Sequence, residues 1–298
     1  MFIHNIDPVL FELGPISIRY YGALYAIGIM SGFFICQYFM RRRGYGDDIF
    51  NKLIIYIVVG LILGAHFGHL FFYEPESLIK NPIRIIQLGK GLASHGGFAG
   101  AIIALFLFRR RMKKMADLPA AAKKDWKPAR LKFDYNQAAS ISYLEYTDVI
   151  TIGGALLVPF IRLGNFFNSE IIGRIVSKDF PLAIAFRRTM ENRGRSEADL
   201  IWRHPSQLYE MVAGILIFLL LFFIYKKFQK RVQEGSIFFS FVILYFISRF
   251  LIEFVKEYQA LPTSFPLTMG QILSIPLVVF GVVMFILRKS WRLKPAAE

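Results

Sequence analysis

Cysteine is almost absent: Cys36 stands alone among 298 residues. An internal disulfide is therefore excluded, and so is any Cys-x-x-Cys metal or redox motif. Cys36 lies inside an apolar run and reads as a small buried hydrophobe. Acidic residues are scarce too, 21 against 36 Lys and Arg, for a formal charge of +15. Residues 1–15 have no basic n-region and no small-residue cleavage site, so no removable signal peptide is expected. No internal repeat is visible, which argues against a transporter assembled from inverted repeats.

What fills the chain instead is apolar. With 55% hydrophobic residues and a positive mean hydropathy, the composition is that of an all-α polytopic membrane protein. About seven transmembrane helices are expected, over 18–40, 53–72, 92–108, 148–167, 205–225, 237–255 and 269–287. Gly60, Gly64 and Gly68 recur every four residues in the second, a close-packing face. The basic clusters Arg41–Arg43, Arg109–Lys114, Lys226–Arg231 and Arg288–Arg292 follow the first, third, fifth and seventh spans. All four face the cytoplasm if the N-terminus is outside and the C-terminus inside. Their placement fits anionic lipid rather than nucleic acid. The whole chain, 1–298, then reads as one membrane domain. Residues 168–204 form a small outward-facing head, 109–147 a basic cytoplasmic loop, and 1–16 a segment lying along the outer surface.

The organising stretch is 160–174. An apolar run from Val149 to Ile161 leads into Arg162 at or near membrane depth. An arginine at a helix centre costs about 2.5–3.5 kcal/mol on insertion scales, so its presence points either to headgroup contact at a membrane exit or to a site. Arg162 and Asn165 share a helix face, and Gly164 admits a close neighbour. Glu170 and Arg174 follow beyond the helix end. In the sixth span Tyr245, Arg249, Glu253 and Glu257 recur every four residues, a polar stripe on an otherwise apolar helix. Either Arg249 and Glu253 form a structural pair, or Arg249 faces a polar cavity and Glu253 holds it there.

Other polar groups stand at the same ends of their spans. His95 opens the third, beside Gly96-Gly97, which clears space for a ligand; a helix–helix hydrogen bond is the plainer reading. His66 and His69 with His95 could form a metal or haem site, but no carboxylate or Cys ligands stand at a recognisable spacing. Tyr20, Tyr21 and Tyr25 fit an aromatic belt. His204-Pro205-Ser206-Gln207-Leu208-Tyr209-Glu210 and Gly270-Gln271 open the fifth and seventh spans, where polar residues are common anyway. Together these place two arginines with a His, a Tyr, an Asn and several carboxyl or amide groups near the outer leaflet. Arginine suits phosphate, and a phosphate-bearing substrate reached from the membrane is a phospholipid.

These segments carry a resemblance. Tyr20-Tyr21-Gly22, Ser94-His95-Gly96-Gly97, the run Arg162 to Arg174, His204 to Glu210, Tyr245 with Arg249 and Glu253, and Met269-Gly270-Gln271 occur in order. The sequence closely resembles the prolipoprotein diacylglyceryl transferase family of bacterial inner membranes, from Asp7-Pro8 to about Gly281, interrupted mainly over 112–147. The resemblance implies transfer of the diacylglyceryl group of phosphatidylglycerol to the lipobox cysteine of a prolipoprotein signal peptide. A thioether forms and glycerol phosphate leaves. It implies that Tyr21, His95, Arg162, Asn165, Glu170, Gly173, Tyr245 and Arg249 matter for activity. Of these, His95, Arg249, Arg162 and Tyr21 are the expected catalytic residues. Arg162, Asn165, Glu170, Gly173, Tyr245, Glu253 and Gln207 are the expected substrate-binding set. Two departures stand out: His66 occupies a place where many relatives have Arg, and the 112–147 loop is long.

The implied reaction asks for a group to help form the thiolate, since a free thiol of pKa about 8.5 is only a few per cent ionised at neutral pH. His95 suits that by type. Arg249 and Arg162 would meet the charge growing on the phosphate, while Asn165 and Tyr21 orient the headgroup. No metal or organic cofactor is expected. A lipid flippase would need polar groups through to the inner face, where these spans are apolar. A receptor or scaffold would leave two arginines at depth without a reason.

Overall fold

The computed structural model describes residues 2–72, 74–87, 93–118, 133–229, 231–257 and 265–288. The middle of the 109–147 loop, most of the 256–268 loop and the end of the C-terminal basic cluster lie outside them. The elements in chain order are β1 (Phe2–His4), β2 (Val9–Leu13), β3 (Ile16–Arg19), α1 (Tyr20–Arg42), α2 (Asp47–Phe72), α3 (Pro75–Lys80), α4 (Ser94–Ala116), α5 (Tyr135–Ser140), α6 (Tyr143–Phe167), β4 (Ile184–Phe186), α7 (Ser206–Phe228), α8 (Ser236–Ile252) and α9 (Met269–Leu287). A 3-10 turn, Glu253–Val255, continues α8.

Among the described residues six helices are long and apolar enough to cross a membrane: α1, α2, α6, α7, α8 with its continuation, and α9. The chain is an all-α polytopic membrane protein. The expected third span is α4, helical over 23 residues, but Arg109, Arg110, Arg111, Lys113 and Lys114 fill its last two turns and shorten its apolar part. Helix therefore extends into both described ends of the basic segment after residue 108: α4 runs to Ala116, α5 follows at Tyr135, and α6 begins at Tyr143.

The helices group into two compact units, Met1–Cys36 with Thr147–Glu298, and Gln37–Tyr146. In the second unit α2 and α4 run antiparallel with their backbones in contact. A Cβ on Gly60 would lie 2.5 Å from the Gly100 carbonyl, and Gly64 and Gly68 meet Gly96 in the same way. The four-residue glycine spacing is the cause, since only hydrogen fits between the two backbones. At the basic end Arg43 pairs with Glu145, which also accepts a hydrogen bond from Tyr45 at 2.6 Å.

In the first unit α1 and α6 are likewise antiparallel: Gly32 meets Gly153, and the Cys36 thiol donates to the Val149 carbonyl at 3.3 Å. Asp148, fully buried, accepts from the Gly235 and Phe238 amides at 2.7 and 2.9 Å. It thereby caps α8 from another helix, satisfying donors that a helix start leaves open.

The N-terminal segment was expected to lie along a surface. Instead β1 pairs in parallel with β4 of the head, Phe2 beside Ile184 and His4 beside Phe186. β2 and β3 form a hairpin turned by Gly14 at φ +58°. Ala183, Ala185, Leu200 and Trp202 make a small core with Ile3 packed on it. His4 is wholly buried, its ring 4.5 Å from that of Phe166, and its Nδ1 is 3.1 Å from the Ser169 hydroxyl. Burial holds its pKa below the ordinary 6.5, and the nearby Arg188 charge adds a smaller push down. An imidazole buried neutral supports the fold fully above pH 6.5, and that support is lost as pH falls from there toward its lowered value. Trp202 emission should therefore report loosening of the head on acidification below 6.5, and His4→Gln should flatten this pH dependence.

Candidate active site

The site grows out of the way α6 ends. The Ser169 amide donates to the Phe166 carbonyl at 3.0 Å and the Glu170 amide to that of Asn165 at 3.1 Å. This pattern closes many helices with a left-handed glycine just past the end. Gly44 does so after α1, at φ +82°. After α6 the place is taken by Ser169 at φ +54°, and Ile171 follows at φ +58°. A β-branched residue there is rare, and each such residue carries strain of about 1–3 kcal/mol.

Three bonds from the start of α7 hold this loop. The Ser206 hydroxyl donates to the Ile171 carbonyl and the Gln207 side-chain amide to the Glu170 carbonyl, both at 2.7 Å, while the Gly173 amide donates to the His204 carbonyl at 2.9 Å. The His204-to-Glu210 motif is thus a clamp on the 170–173 loop. Gln207, expected at the substrate, is fully buried and bonded to the loop backbone. Gly173 is confined by packing: a Cβ would lie 2.6 Å from the His204 Cβ and from the Val255 carbonyl. The clamped loop presents Glu170 at the surface, its carboxylate accepting from the side-chain amides of Asn165 at 2.7 Å and Asn168 at 3.3 Å.

Arg162 lies one turn before Asn165. Its Nη1 donates to the Asn165 side-chain oxygen Oδ1 at 3.3 Å and its Nη2 to the Tyr245 hydroxyl at 3.4 Å. Its Nε stands 2.7 Å from Glu210 Oε2, with the two side chains 11% and 7% exposed. The other oxygen of Glu210 is 3.3 Å from the Lys256 ammonium, and Lys256 is 3.3 Å from Glu253. Glu253 lies flat against Gly270, where a Cβ would come within 2.5–2.6 Å of its carboxyl oxygens. Gly270 belongs to the first turn of α9, whose Thr268 and Gln271 form a capping box. The anion therefore sits at a helix N-terminus, where the dipole favours it.

A chain of contacts therefore links α6, α7, the end of α8 and the start of α9: Tyr245, Arg162, Glu210, Lys256, Glu253. Arg249 stands on α8 between its first and last members, four residues past Tyr245 and on the same face. Among the described residues the Arg249 side chain has no hydrogen bond and no ion pair. The anticipated hold of Glu253 on Arg249 is absent. The α-helix gives way to a 3-10 turn at Glu253, and Lys256 and Gly270 take the carboxylate elsewhere. Glu257, the last of the stripe, pairs at 3.0 Å with the buried Arg203 of the head.

Tyr21 joins at the start of α1, where its ring and backbone rest on Gly164. Its neighbour Tyr20 stacks on Phe167 with centroids 4.4 Å apart. His95 is the second residue of α4, in the other unit, and its side chain lies outside the described part of the structure. His66 is buried with Nε2 2.9 Å from the Ile85 carbonyl, and His69 contacts Glu74 at 3.2 Å. Sequence reasoning missed Lys256 altogether. It noted Glu210 only as a polar residue in a helix start, although an acid one helical turn into a membrane span is a signal of a cation across from it.

Apolar helices that gather buried acid–base pairs at one end, around an arginine left without a partner, define an integral membrane protein with an unneutralised positive charge among its spans. The family model described as prolipoprotein diacylglyceryl transferase matches residues 8–122 and 131–287, and the chain belongs to that family. The unmatched interval, 123–130, is narrower than the 112–147 interruption anticipated from the sequence. The chain is 36% identical over 289 residues to the phosphatidylglycerol–prolipoprotein diacylglyceryl transferase of Tolumonas auensis, covering 96% of this chain and 97% of that protein. It is 34% identical to the proteins of the same name from Bacteroides fragilis, over 93% of this chain and 92% of that protein, and from Chloroherpeton thalassium, over 94% and 91%.

Removing one partner of a buried pair leaves the other charge uncompensated, at a cost of about 3–5 kcal/mol. Glu210→Gln strands Arg162 and leaves Lys256 with Glu253 alone. A lowered thermal midpoint in detergent, partly recovered in Glu210→Asp, is the expected outcome.

Proposed function

We propose that this protein transfers the diacylglyceryl group of phosphatidylglycerol to the lipobox cysteine thiol of a prolipoprotein, at the outer face of a bacterial inner membrane. Family membership supports the reaction. The observation that carries the site assignment is the unpartnered Arg249 beside a charge-balanced set of two cations, Arg162 and Lys256, and two carboxylates, Glu210 and Glu253. Arg249 adds an unpaired positive charge to that set, opposite in sign to a phosphodiester.

In this reading the lipid phosphate lies between Arg249 and the Nη edge of Arg162. The contacts of that edge with Asn165 and Tyr245 are long, 3.3 and 3.4 Å, so phosphate oxygens can replace or share them. The cysteine sulfur attacks the glycerol carbon, the carbon–oxygen bond to phosphate breaks, and glycerol phosphate departs with the bonding electron pair. Its charge rises as the bond breaks, and preplaced guanidinium groups stabilise that change. We assign the thiol proton to His95. Tyr21 and Glu170 orient the headgroup from either side of Asn165. Gln207 and Gly173 act by fixing the loop that carries Glu170. The basic clusters at the opposite helix ends support an N-terminus outside and a C-terminus in the cytoplasm.

Purified protein with phosphatidylglycerol and a lipobox peptide should yield peptide carrying a diacylglyceryl increment on cysteine by mass spectrometry. Arg249→Ala should insert and fold yet lose about 10²–10³ in rate, as for loss of one charge-stabilising donor; near-normal turnover would remove Arg249 from the mechanism. His95→Gln should abolish the acidic limb of the pH–rate profile. An unchanged limb would mean that another group takes the proton.

A further inference from the structure

We propose that Lys256 is a positioning residue: its ammonium keeps Glu253 off Arg249 and so leaves the Arg249 charge free for the lipid phosphate. This rests on the reading that Arg249 receives that phosphate.

The argument starts from spacing. Arg249 and Glu253 are four apart, a separation at which an acid and a base on one helix ordinarily meet. In a site shielded from water such a pair would neutralise the very charge an anionic headgroup needs. The structure shows the pair unmade. Glu253 is 7% exposed, 3.3 Å from the Lys256 ammonium, and pressed on Gly270 at the start of α9. Lys256 is itself 3% exposed and has no other described anion besides Glu210, at 3.3 Å. Its backbone is pinned as well. The Lys256 carbonyl accepts from Arg174 Nε at 2.9 Å, and the residue bridges to Gly173 of the clamped loop. The ammonium is therefore held at a fixed point between two carboxylates from different helices. It supplies Glu253 with a counter-charge three residues on, which removes the pull toward the counter-charge four residues back. Glu210, held by the same ammonium, remains in place for Arg162 Nε, which leaves both Nη groups of Arg162 facing Asn165 and Tyr245.

The test uses the full-length protein in detergent micelles, with phosphatidylglycerol as varied substrate and a lipobox peptide as acceptor. Lys256→Met frees Glu253 to capture Arg249. The expected result is a rise of roughly tenfold or more in KM for phosphatidylglycerol, with kcat changed less. Lys256→Arg keeps the counter-charge and should stay near the parent. The deciding variant adds Glu253→Gln to Lys256→Met, removing the competing carboxylate with the cation that restrained it. Most of the lost affinity should return. A merely structural Lys256–Glu253 pair would also be relieved in the double variant, but it would move the thermal midpoint and kcat along with KM. A KM loss in Lys256→Met that only follows a lowered midpoint and kcat, or a double variant no better than the single one, overturns the proposal; so does an unchanged KM in Lys256→Met. If Lys256→Met does not fold, the charge-balanced double variant decides alone: a KM near the parent supports the proposal and a tenfold rise overturns it. Arg249→Ala separates the two layers. Normal turnover there defeats the reading of Arg249 itself, whereas an inactive Arg249→Ala beside a fully normal Lys256→Met defeats only the role of Lys256.

Discussion

A single carboxylate shared between two cations, Glu210 between Arg162 and Lys256, is the interaction on which the head end of the spans depends. Each cation alone would be costly to bury, and one acid cannot neutralise both. Glu253 supplies the second negative charge, and α9 fixes Glu253 through the first turn of its own backbone. Elements distant in sequence are thereby tied by charges rather than by apolar packing, which is nearly the same against lipid as against another helix. The remaining member, Arg249, is left unmatched by the same arithmetic.

The loop after α6 shows how the backbone serves that arrangement. Two left-handed residues in three, Ser169 and Ile171, are held by Ser206, Gln207 and the His204 carbonyl. Strain of this kind persists only where surrounding bonds over-determine it. Here they aim the Glu170 carboxylate back at Asn165, so that an acid beyond the helix end and an amide within it form one surface. Gln207 and Gly173 face protein and hold the loop that carries Glu170.

The spans were legible because apolar runs and their basic flanks are local properties. The glycine seam of α2 was legible for the same reason, although its partner residues on α4 were not. The contact of Arg162 with Tyr245 was not legible, since the sequence placed Tyr245 only in the stripe of Arg249, Glu253 and Glu257. Pairings decided by tertiary context were hidden. Spacing alone favoured Arg249 with Glu253, and nothing local announced that a 3-10 turn, a glycine on α9 and Lys256 would redirect the acid. The strand pairing of Phe2–His4 was equally invisible, since a three-residue strand has no periodicity to read and its partner lies far along the chain.

That pairing bears on biogenesis. Phe2 and Ile184 stand about 180 positions apart, and contacts closed over such long loops form late. While the ribosome is still delivering α1, α2, α4 and α6, the β1 segment has no mate, and the His4 imidazole has not yet met Phe186. The extramembrane lobe is completed only after β4 and Arg203 emerge, by which time α1 and α6 can already lie side by side. Its closure thus acts as a late check that distant parts of the chain have reached the same side of the bilayer.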